Sequence, residues 1–519
     1  MHRSTHTPPP ARAGGRFPAT IRYRQLAIIA SDIGQLFLFI GLFACLPLLV
    51  GFWYDEAACL LPMASVPFVF MLLGLFLASV PQAEGEVRIS VALSAVALIW
   101  LAAALIGALP FTLGLGMPYT DAVFEAMSGW TSTGLSMIVS VDAVPHTLLF
   151  WRSLMQWVGG LGIVAFTVAM AGRSGLTRFR LYRSEGRSET FLPSVVATGM
   201  QMWKIYVVLT LLGTGLVLVS GIPLWDAVNI AMTAISTGGF SVHSTGILYY
   251  DSPLLEMLVI PIMLAGALPF KLYYLLAHRR RFGILDDQQA LLLFGLTLLG
   301  CAVVTYDLVA FSGIPPLPAL RQGIFMVVSG ITCTGFQNAN PFEWPGVTVI
   351  FLAALMLVGG STGSTAGGIK LARIILAGET LRWWFRRLFI GWRGRVSLQH
   401  DGKPIQEHLA EYEVSKNLLI AILFMLVVMI ATLLLLHTWP AAGYDSGDVI
   451  FEVVSAISNV GISTGYASPA MSTAAKWLFI IVMWAGRLEI VPVIALVMMI
   501  GAQVPPGREH EDATGRWSE

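Results

Sequence analysis

The chain has 519 residues, 56% of them hydrophobic and only 12% charged, and a mean hydropathy of +0.75. Soluble domains carry about 25% charged residues, so this composition excludes a soluble globular enzyme. Lys and Arg total 31 against 30 Asp and Glu, a net charge of +1, which excludes a nucleic-acid-binding or disordered chain. Cys45, Cys59, Cys301 and Cys333 show no CxxC pairing and no metal or disulfide spacing. The first 26 residues are polar and rich in Arg and Pro, without a cleavable signal pattern.

Taking roughly 20 apolar residues per crossing, ten runs are long enough to span a bilayer. They lie at 27–52, 63–81, 90–112, 148–172, 206–222, 254–278, 289–312, 347–372, 418–438 and 475–502. The expected fold is an all-α polytopic membrane protein with both termini on one side. Segments 1–26, 82–89, 173–205, 271–288, 370–416 and the C-terminal tail hold 27 of the 31 Lys and Arg. The opposite loops hold only Arg152, Arg321 and Lys476, and Arg487 lies inside a span. The positive-inside rule therefore predicts cytoplasmic termini. Segment 373–416, with Trp383, Trp384 and Trp392 among its arginines, reads as an amphipathic stretch at the lipid headgroups.

Between spans, on the predicted outer side, four segments are too short to cross and too apolar for loops. They read DAVFEAMSGWTSTGL (121–135), DAVNIAMTAISTGGF (226–240), QGIFMVVSGITCTGF (322–336) and DVIFEVVSAISNVGI (448–462). Position 14 is always glycine: Gly134, Gly239, Gly335 and Gly461. Position 8 always bears a hydroxyl: Ser128, Thr233, Ser329 and Ser455. Asp121, Asp226 and Asp448 at position 1 are read as helix N-caps, and Gln322 takes that place in the third copy. A further glycine follows 25 to 27 residues later: Gly160, Gly266, Gly360 and Gly486. The unit is span, half-span, glycine stretch, span, repeated four times from about 90 to 502.

A helix of ten residues is about 15 Å long, half the hydrocarbon thickness, so it must dip in and return. Such a segment is allowed only where protein buries it or where it lines a water-filled cavity. Glycine permits positive φ and turns successive carbonyls one way. Four such stretches around one axis can replace a cation's hydration shell, with the half-helix C-termini favouring positive charge there. The predicted ion-binding residues are Thr131, Ser132, Thr133 and Gly134; Thr237, Gly238 and Gly239; Cys333, Thr334 and Gly335; and Asn459, Val460 and Gly461. Taken singly, each glycine could simply admit a neighbouring helix; the fourfold register argues for a filter.

Over residues 90–502 the sequence resembles the Trk/Ktr/HKT superfamily of potassium transporters. WVGGLGIV (157–164), GGSTGSTAGGIK (359–370) and WAGRLEI (484–490) also carry the likeness, and the two spans before the first repeat resemble the bacterial Trk type. The resemblance implies four pseudo-symmetric helix–pore-loop–helix repeats around a central pore, with one filter glycine per repeat. Glycine rather than serine at 134 implies K+ over Na+. It further implies a multi-pass protein of the bacterial inner membrane, a homodimer, and a cytosolic nucleotide-binding regulatory ring, with K+ as transported ion and no cofactor. The fourth loop, SNVGISTGYA, is more hydroxyl-rich than the Trk form.

The expected organisation is an N-terminal tail (1–26), two additional helices (27–89), repeat 1 (90–200), repeat 2 (201–288), repeat 3 with an intramembrane loop (289–416), and repeat 4 with the C-terminal tail (417–519). Gly359, Gly360, Ser361, Thr362, Gly363, Ser364, Thr365, Ala366, Gly367 and Gly368 make poor helix. They are expected to form an irregular loop beneath the filter and, by the resemblance, a gate. No phosphate-binding pattern is present, since Ile369 separates Gly368 from Lys370. Arg487, a strong base at membrane depth, should face a cavity or partner. It is expected to contact the loop carbonyls, the alternative being a salt bridge to Glu489 or Glu125. Lys271 and Lys370 are expected to snorkel to the headgroups. Glu125 and Glu452, equivalent in copies one and four, either set the field near the pore or are structural. The rival functions are a sodium-permeable or sodium-coupled transporter and a membrane-embedded enzyme; the latter lacks any HExxH or GxSxG context.

Overall fold

Apolar length dictates the first level of the structure. The computed structural model describes residues 19–80, 88–162, 192, 194–279, 283–390, 399–400, 403–404 and 407–501. Both tails for the most part, the 148–172 span beyond 162, and Trp392 lie outside the described residues. Six helices are long and apolar enough to cross a membrane: Ile29–Trp53, Ala57–Ala78, Ile89–Leu115, Val196–Leu218, Gln288–Ala310 and Glu413–Thr438. Apart from a two-residue β ladder (Gln399–His400 with Lys403–Pro404), regular structure among the described residues is helical.

Each repeat opens on one of the last four of these helices. A half-helix follows: Tyr119–Trp130, Leu224–Ile235, Pro316–Ile331 and Ser446–Ile457. At 12 residues, the first is about 18 Å long. The second helix of repeat 1 ends early, and those of repeats 2, 3 and 4 are broken. In repeat 1, His146–Leu161 stops at Gly162, whose φ is +92°. Repeat 2 turns through 95° between Pro253–Ala267 and Phe270–His278; Pro269 holds Leu268 extended and ends the helix there. In repeat 3, Gly346–Val358 and Leu371–Ile390 are separated by the glycine-rich segment. Repeat 4 turns through 116° between Thr473–Arg487 and Val491–Ile500, through Glu489 and Ile490 at φ +57° and +69°. Only the break in repeat 3 was expected from the sequence.

The N-cap assignment of the three aspartates is corrected. Pro118 and Pro223 cap the first two half-helices, so Asp121 and Asp226 stand at the third helical position. There a carboxylate still complements the helix dipole. Asp445 caps the fourth, in a reciprocal capping box with Asp448. Asp121 is ion-paired with Lys476 (2.7 Å), and Asp226 accepts from Tyr250 Oη (2.8 Å).

The two additional helices cross where Gly34 meets Gly74: a methyl carbon at Gly34 would lie 2.4 Å from Ala78 N. Such close approach is how small residues hold membrane helices together. In the turn between these helices, Glu56 reaches the start of repeat 1's second helix. It accepts from the backbone N–H of His146 and of Thr147 (both 2.8 Å) and from Thr147 Oγ1 (2.7 Å). A carboxylate from outside the repeat thus satisfies that helix's orphan donors. Burial works to raise the Glu56 pKa, but the bonds from Thr147 and His146 outweigh it and hold it below the usual glutamate range. Glu56→Gln is expected to lower the unfolding midpoint in detergent at pH 7, through a loss of about 1–2 kcal/mol. A depressed carboxyl stabilises above its unfolded pKa of about 4.3 and loses that contribution as pH falls through the folded value. The gap between variant and parent should therefore close in acid; a gap independent of pH would count against this account.

Candidate functional site

The four half-helices end in one and the same turn. The residue at position 12 is left-handed in every copy: Ser132, Thr237, Cys333 and Asn459, with φ between +51° and +55°. Non-glycine residues in this region cost on the order of 1 kcal/mol each, so an imposed geometry is repeated four times. The position-13 N–H donates to the position-8 carbonyl in each: Thr133 to Ser128, Gly238 to Thr233, Thr334 to Ser329 and Val460 to Ser455, at 2.8–2.9 Å. The position-14 glycines again have positive φ, from +74° to +94°. The position-8 hydroxyl accepts from the glycine N–H in copies one and four, at 3.0 Å each.

These turns close into a ring. A methyl carbon placed on Gly134 would lie 2.4 Å from the Gly238 carbonyl oxygen, and one on Gly239 would lie 2.2 Å from that of Thr334. On Gly335 it would lie 2.0 Å from Val460 O, and on Gly461 2.0 Å from Thr133 O. Repeat 1 therefore abuts repeat 2, then 3, then 4, and repeat 4 returns to repeat 1. The four copies surround one axis, with position-13 carbonyls and position-14 glycines at every junction.

Below the ring, the broken helices press their glycines onto the half-helix ends. A methyl carbon at Gly159, Gly266 or Gly486 would lie 1.9, 2.7 or 1.9 Å from the position-10 carbonyl oxygens of Trp130, Ile235 and Ile457. In repeat 1 it is Gly159, one residue before the glycine expected from the sequence, that takes this place. The segment Gly359–Gly368 passes across this level without helix. Ser361 N–H and Thr365 N–H donate to Ala267 O (3.0 Å) and Gly266 O (3.1 Å), and Phe270 N–H donates to Gly363 O (3.1 Å). The Thr365 hydroxyl lies 2.9 Å from Ile235 O. Thr362 N–H is held by Gln289 (2.8 Å). Gly367 packs under repeat 4, where a methyl carbon would meet Ser458 O at 2.0 Å.

Arg487 joins three repeats. Its Nη1 donates to Thr365 O of the loop (3.0 Å) and its Nη2 to Gly160 O (2.8 Å) and Gly159 O of repeat 1. The two acids considered as its alternative partners are engaged elsewhere: Glu489 with Arg373, and Glu125 with Arg152 (2.7 Å). Lys370 also departs from the expected snorkelling, since its ammonium folds back onto Ala366 O. Lys271 is exposed.

Above the ring, Glu125 accepts from Ser136 Oγ (3.0 Å) and Met137 N–H (2.7 Å). Glu452 accepts from the equivalent Ser463 Oγ (2.6 Å) and Thr464 N–H (3.1 Å). Both glutamates therefore pin the strand leaving the ring. Arg152 and Glu125 are almost wholly buried, at 2% and 0% exposure, and Arg152 also donates to Ser241 O of repeat 2 (2.8 Å). Arg321 binds Glu256 (2.8 Å) and Asp251 (3.1 Å). Gln156 was not singled out from the sequence, yet its amide lies against Gly238 at the ring. Among the described residues, no cluster of His, Cys, Asp and Glu could hold a metal ion.

The profile of the family described as TrkH, cation transport protein, matches residues 67–503. An uncharacterized cation transporter of Methanocaldococcus jannaschii is 32% identical over 89% of this chain and 94% of its own length. The Trk system potassium uptake protein TrkH of Halomonas elongata is 32% identical over 80% of this chain and 86% of its own. The crystal structure of the potassium transporter TrkH from Vibrio parahaemolyticus superposes with a TM-score of 0.80 at 25% identity, covering 92% of this chain and 98% of that one.

The ring geometry sets an order among glycine substitutions. Gly461→Ala forces a carbon to within 2.0 Å of a backbone oxygen, whereas alanine at Gly295 meets nothing within 4 Å. The first is expected to lower the unfolding midpoint in detergent by the equivalent of about 3 kcal/mol, the upper end of overpacking costs, and the second to leave it unchanged. Equal midpoints would contradict the closed ring.

Proposed function

The chain belongs to the TrkH family of cation transport proteins, a family of transporters rather than enzymes, and on that premise we propose that it takes up K+ through a pore along the axis of its four repeats. The observation that carries the reading is the ring: each position-14 glycine lies against the position-13 carbonyl of the next repeat. Main-chain oxygens gathered round one axis, where side chains are excluded by contact, suit a dehydrated alkali cation. The residues Thr131–Gly134, Thr237–Gly239, Cys333–Gly335 and Asn459–Gly461 form the filter. Ion pairs with buried acids that neutralise Arg152, Arg321 and Lys476 on the same face support it, since fixed positive charge there would repel the ion.

K+ is favoured over Na+ by glycine at all four positions and by the names of the relatives from Halomonas and Vibrio. The hydroxyl-rich fourth loop does not weaken this, because Ser463 and Thr464 spend their hydroxyls on Glu452 (2.6 and 3.3 Å). By the positive-inside count both termini face the cytoplasm, with the half-helices entering from outside; a bacterial inner membrane is what the resemblance to the Trk type implies. Uptake needs no further energy source: about 2.3 kcal/mol per charge per 100 mV supports roughly fifty-fold accumulation.

Gly359–Gly368 and Arg487 form the gate on the inner side. The guanidinium hydrogen-bonds to carbonyls of the loop and of repeat 1, so it both fixes the loop and sets a positive charge below the filter. A homodimer docked on a cytosolic nucleotide-binding ring, as the family resemblance implies, would supply the signal that moves it.

Rubidium uptake in a K+-uptake-deficient strain, with Na+ as competitor, tests the substrate. Uptake abolished by K+ and untouched by Na+ is expected; equal competition favours the sodium-permeable rival. Gly134→Ser brings a side chain to 2.4 Å from Gly238 O. It should lower the K+/Na+ preference about tenfold, a change of ~1.4 kcal/mol, and an unchanged preference would remove Gly134 from the filter. Arg487→Ala should raise flux by about an order of magnitude, for a barrier lowered by ~1.4 kcal/mol. Unaltered flux at normal expression would take Arg487 out of the gate.

A further inference from the structure

The ring carbonyls come from Thr133, Gly238, Thr334 and Val460. Only repeat 2 places glycine there, so its filter strand runs through two consecutive glycines, Gly238 and Gly239. Such a strand has no side chain to anchor it and more conformational freedom than the other three. Its carbonyl should be the least well fixed of the four.

A side chain from another repeat occupies that gap. Gln156, on the second helix of repeat 1 and fully buried, donates from Nε2 to Gly238 O (2.5 Å). Its Oε1 accepts from Phe240 N–H (3.0 Å). One amide thus brackets Gly239 from both sides. A methyl carbon added to Gly238 would lie 2.5 Å from Gln156 Cδ, so the amide fills the volume a side chain would take.

The same place exists in every repeat, three residues before the glycine at the helix break. It is Gln156 in repeat 1, and Met263, Met356 and Met483 in the others. All four are fully buried. The equivalence is visible in the contacts: the position-12 side chains of repeats 1, 3 and 4 reach this residue's own carbonyl, Ser132 to Gln156 (3.2 Å), Cys333 to Met356 (3.9 Å) and Asn459 to Met483 (2.9 Å). A thioether is at best a weak acceptor and donates nothing. The amide therefore stands only where the next repeat's strand lacks a side chain of its own.

We infer that Gln156 is a positioning residue that fixes ion preference by holding the Gly238 carbonyl in the ring. This rests on the filter reading above. By donating to that oxygen, Gln156 orients it and draws density from it, so both the direction and the field strength of one ring ligand depend on a side chain outside the filter motif. Those are the properties by which carbonyl rings distinguish cations.

The test uses the full-length protein in liposomes, reading the K+/Na+ permeability ratio beside K+ flux and unfolding midpoint. Gln156→Met gives repeat 1 the residue of the other three repeats. It is expected to lower the ratio about fivefold, the share one hydrogen bond carries, while K+ still permeates. In Gln156→Ala with Gly238→Ala, the freed volume admits a methyl group that stiffens the strand, since Gly238 is not among the positive-φ glycines. The double variant should regain much of the ratio lost in Gln156→Ala alone. A parental ratio in folded Gln156→Met overturns the inference, as does loss of folded protein in both Gln156 variants, which would mark a purely structural role. If Gly335→Ala also leaves the ratio unchanged, the filter reading itself fails, and the two failures are distinguishable.

Discussion

A helix that stops halfway through a membrane leaves backbone groups where no water can reach them. This chain meets that constraint with one turn, used four times. The position-12 residue goes left-handed, the position-13 amide bonds back to position 8, and the position-14 glycine lies against the carbonyl of the next copy. Each turn is completed by its neighbour, so no repeat can hold its geometry alone. The ring and the fold are the same set of contacts. Glycines at the helix breaks support it from below for the same reason: at Gly159, Gly266 and Gly486 the backbone of one helix touches the terminal carbonyls of another.

Charge follows the same economy. Arg152, Arg321 and Lys476 each meet a buried or half-buried acid, and Arg152–Glu125 is almost completely enclosed. A buried ion pair is weak evidence for net stability, because desolvation consumes much of the attraction. Its value here is positional. Lys476 of repeat 4 reaches Asp121 of repeat 1, Arg321 of repeat 3 reaches Glu256 of repeat 2, and Arg152 of repeat 1 reaches Ser241 of repeat 2. Repeats 3 and 4 are joined instead by a reciprocal pair of bonds between Gln337 and the Ser463 backbone. All four junctions are therefore pinned above the ring as well as within it.

Most of the architecture was legible in the sequence because hydropathy and a gapless repeat report directly on burial and symmetry. Within the described residues every apolar run holds helix, although the 148–172 run is described only to 162 and the 347–372 run is interrupted by Gly359–Gly368, and the four glycines meet in register. What escaped was decided by contacts between distant segments. Asp121 and Asp226 read as caps because aspartate is a good one, but prolines three residues earlier start the helix first. The breaks in repeats 2 and 4 depend on single local signals, Pro269 and the strained Glu489–Ile490 pair, within runs that look continuously apolar. Gln156 carries no motif. Its only trace is an amide where the corresponding residues are methionines, and that comparison makes sense only once the broken helices are aligned on their glycines.

Fourfold symmetry ends just below the ring, and the way it ends matters. In repeats 2 and 4 the break is a short turn; in repeat 3 it is a ten-residue loop of small residues. Such a loop buries little apolar surface, so its place rests on hydrogen bonds: backbone bonds to Gly266 and Ala267, the Thr365 hydroxyl to Ile235, and the Arg487 guanidinium to Thr365. Neutral bonds contribute about 0.5–1.5 kcal/mol each, and bonds to a charged group about 1.5–3. The arginine is thus the strongest single tie, and it comes from repeat 4 while holding repeat 1 at the same time. A segment held by few apolar contacts and several separable bonds belongs to the low-stability end of a structure, from which moving elements are drawn. The ring above it, wedged glycine against carbonyl at every junction, has no comparable freedom. Rigidity where the ion would be chosen and weak attachment directly beneath follow from the same glycine-rich chemistry, used once with neighbours in contact and once without.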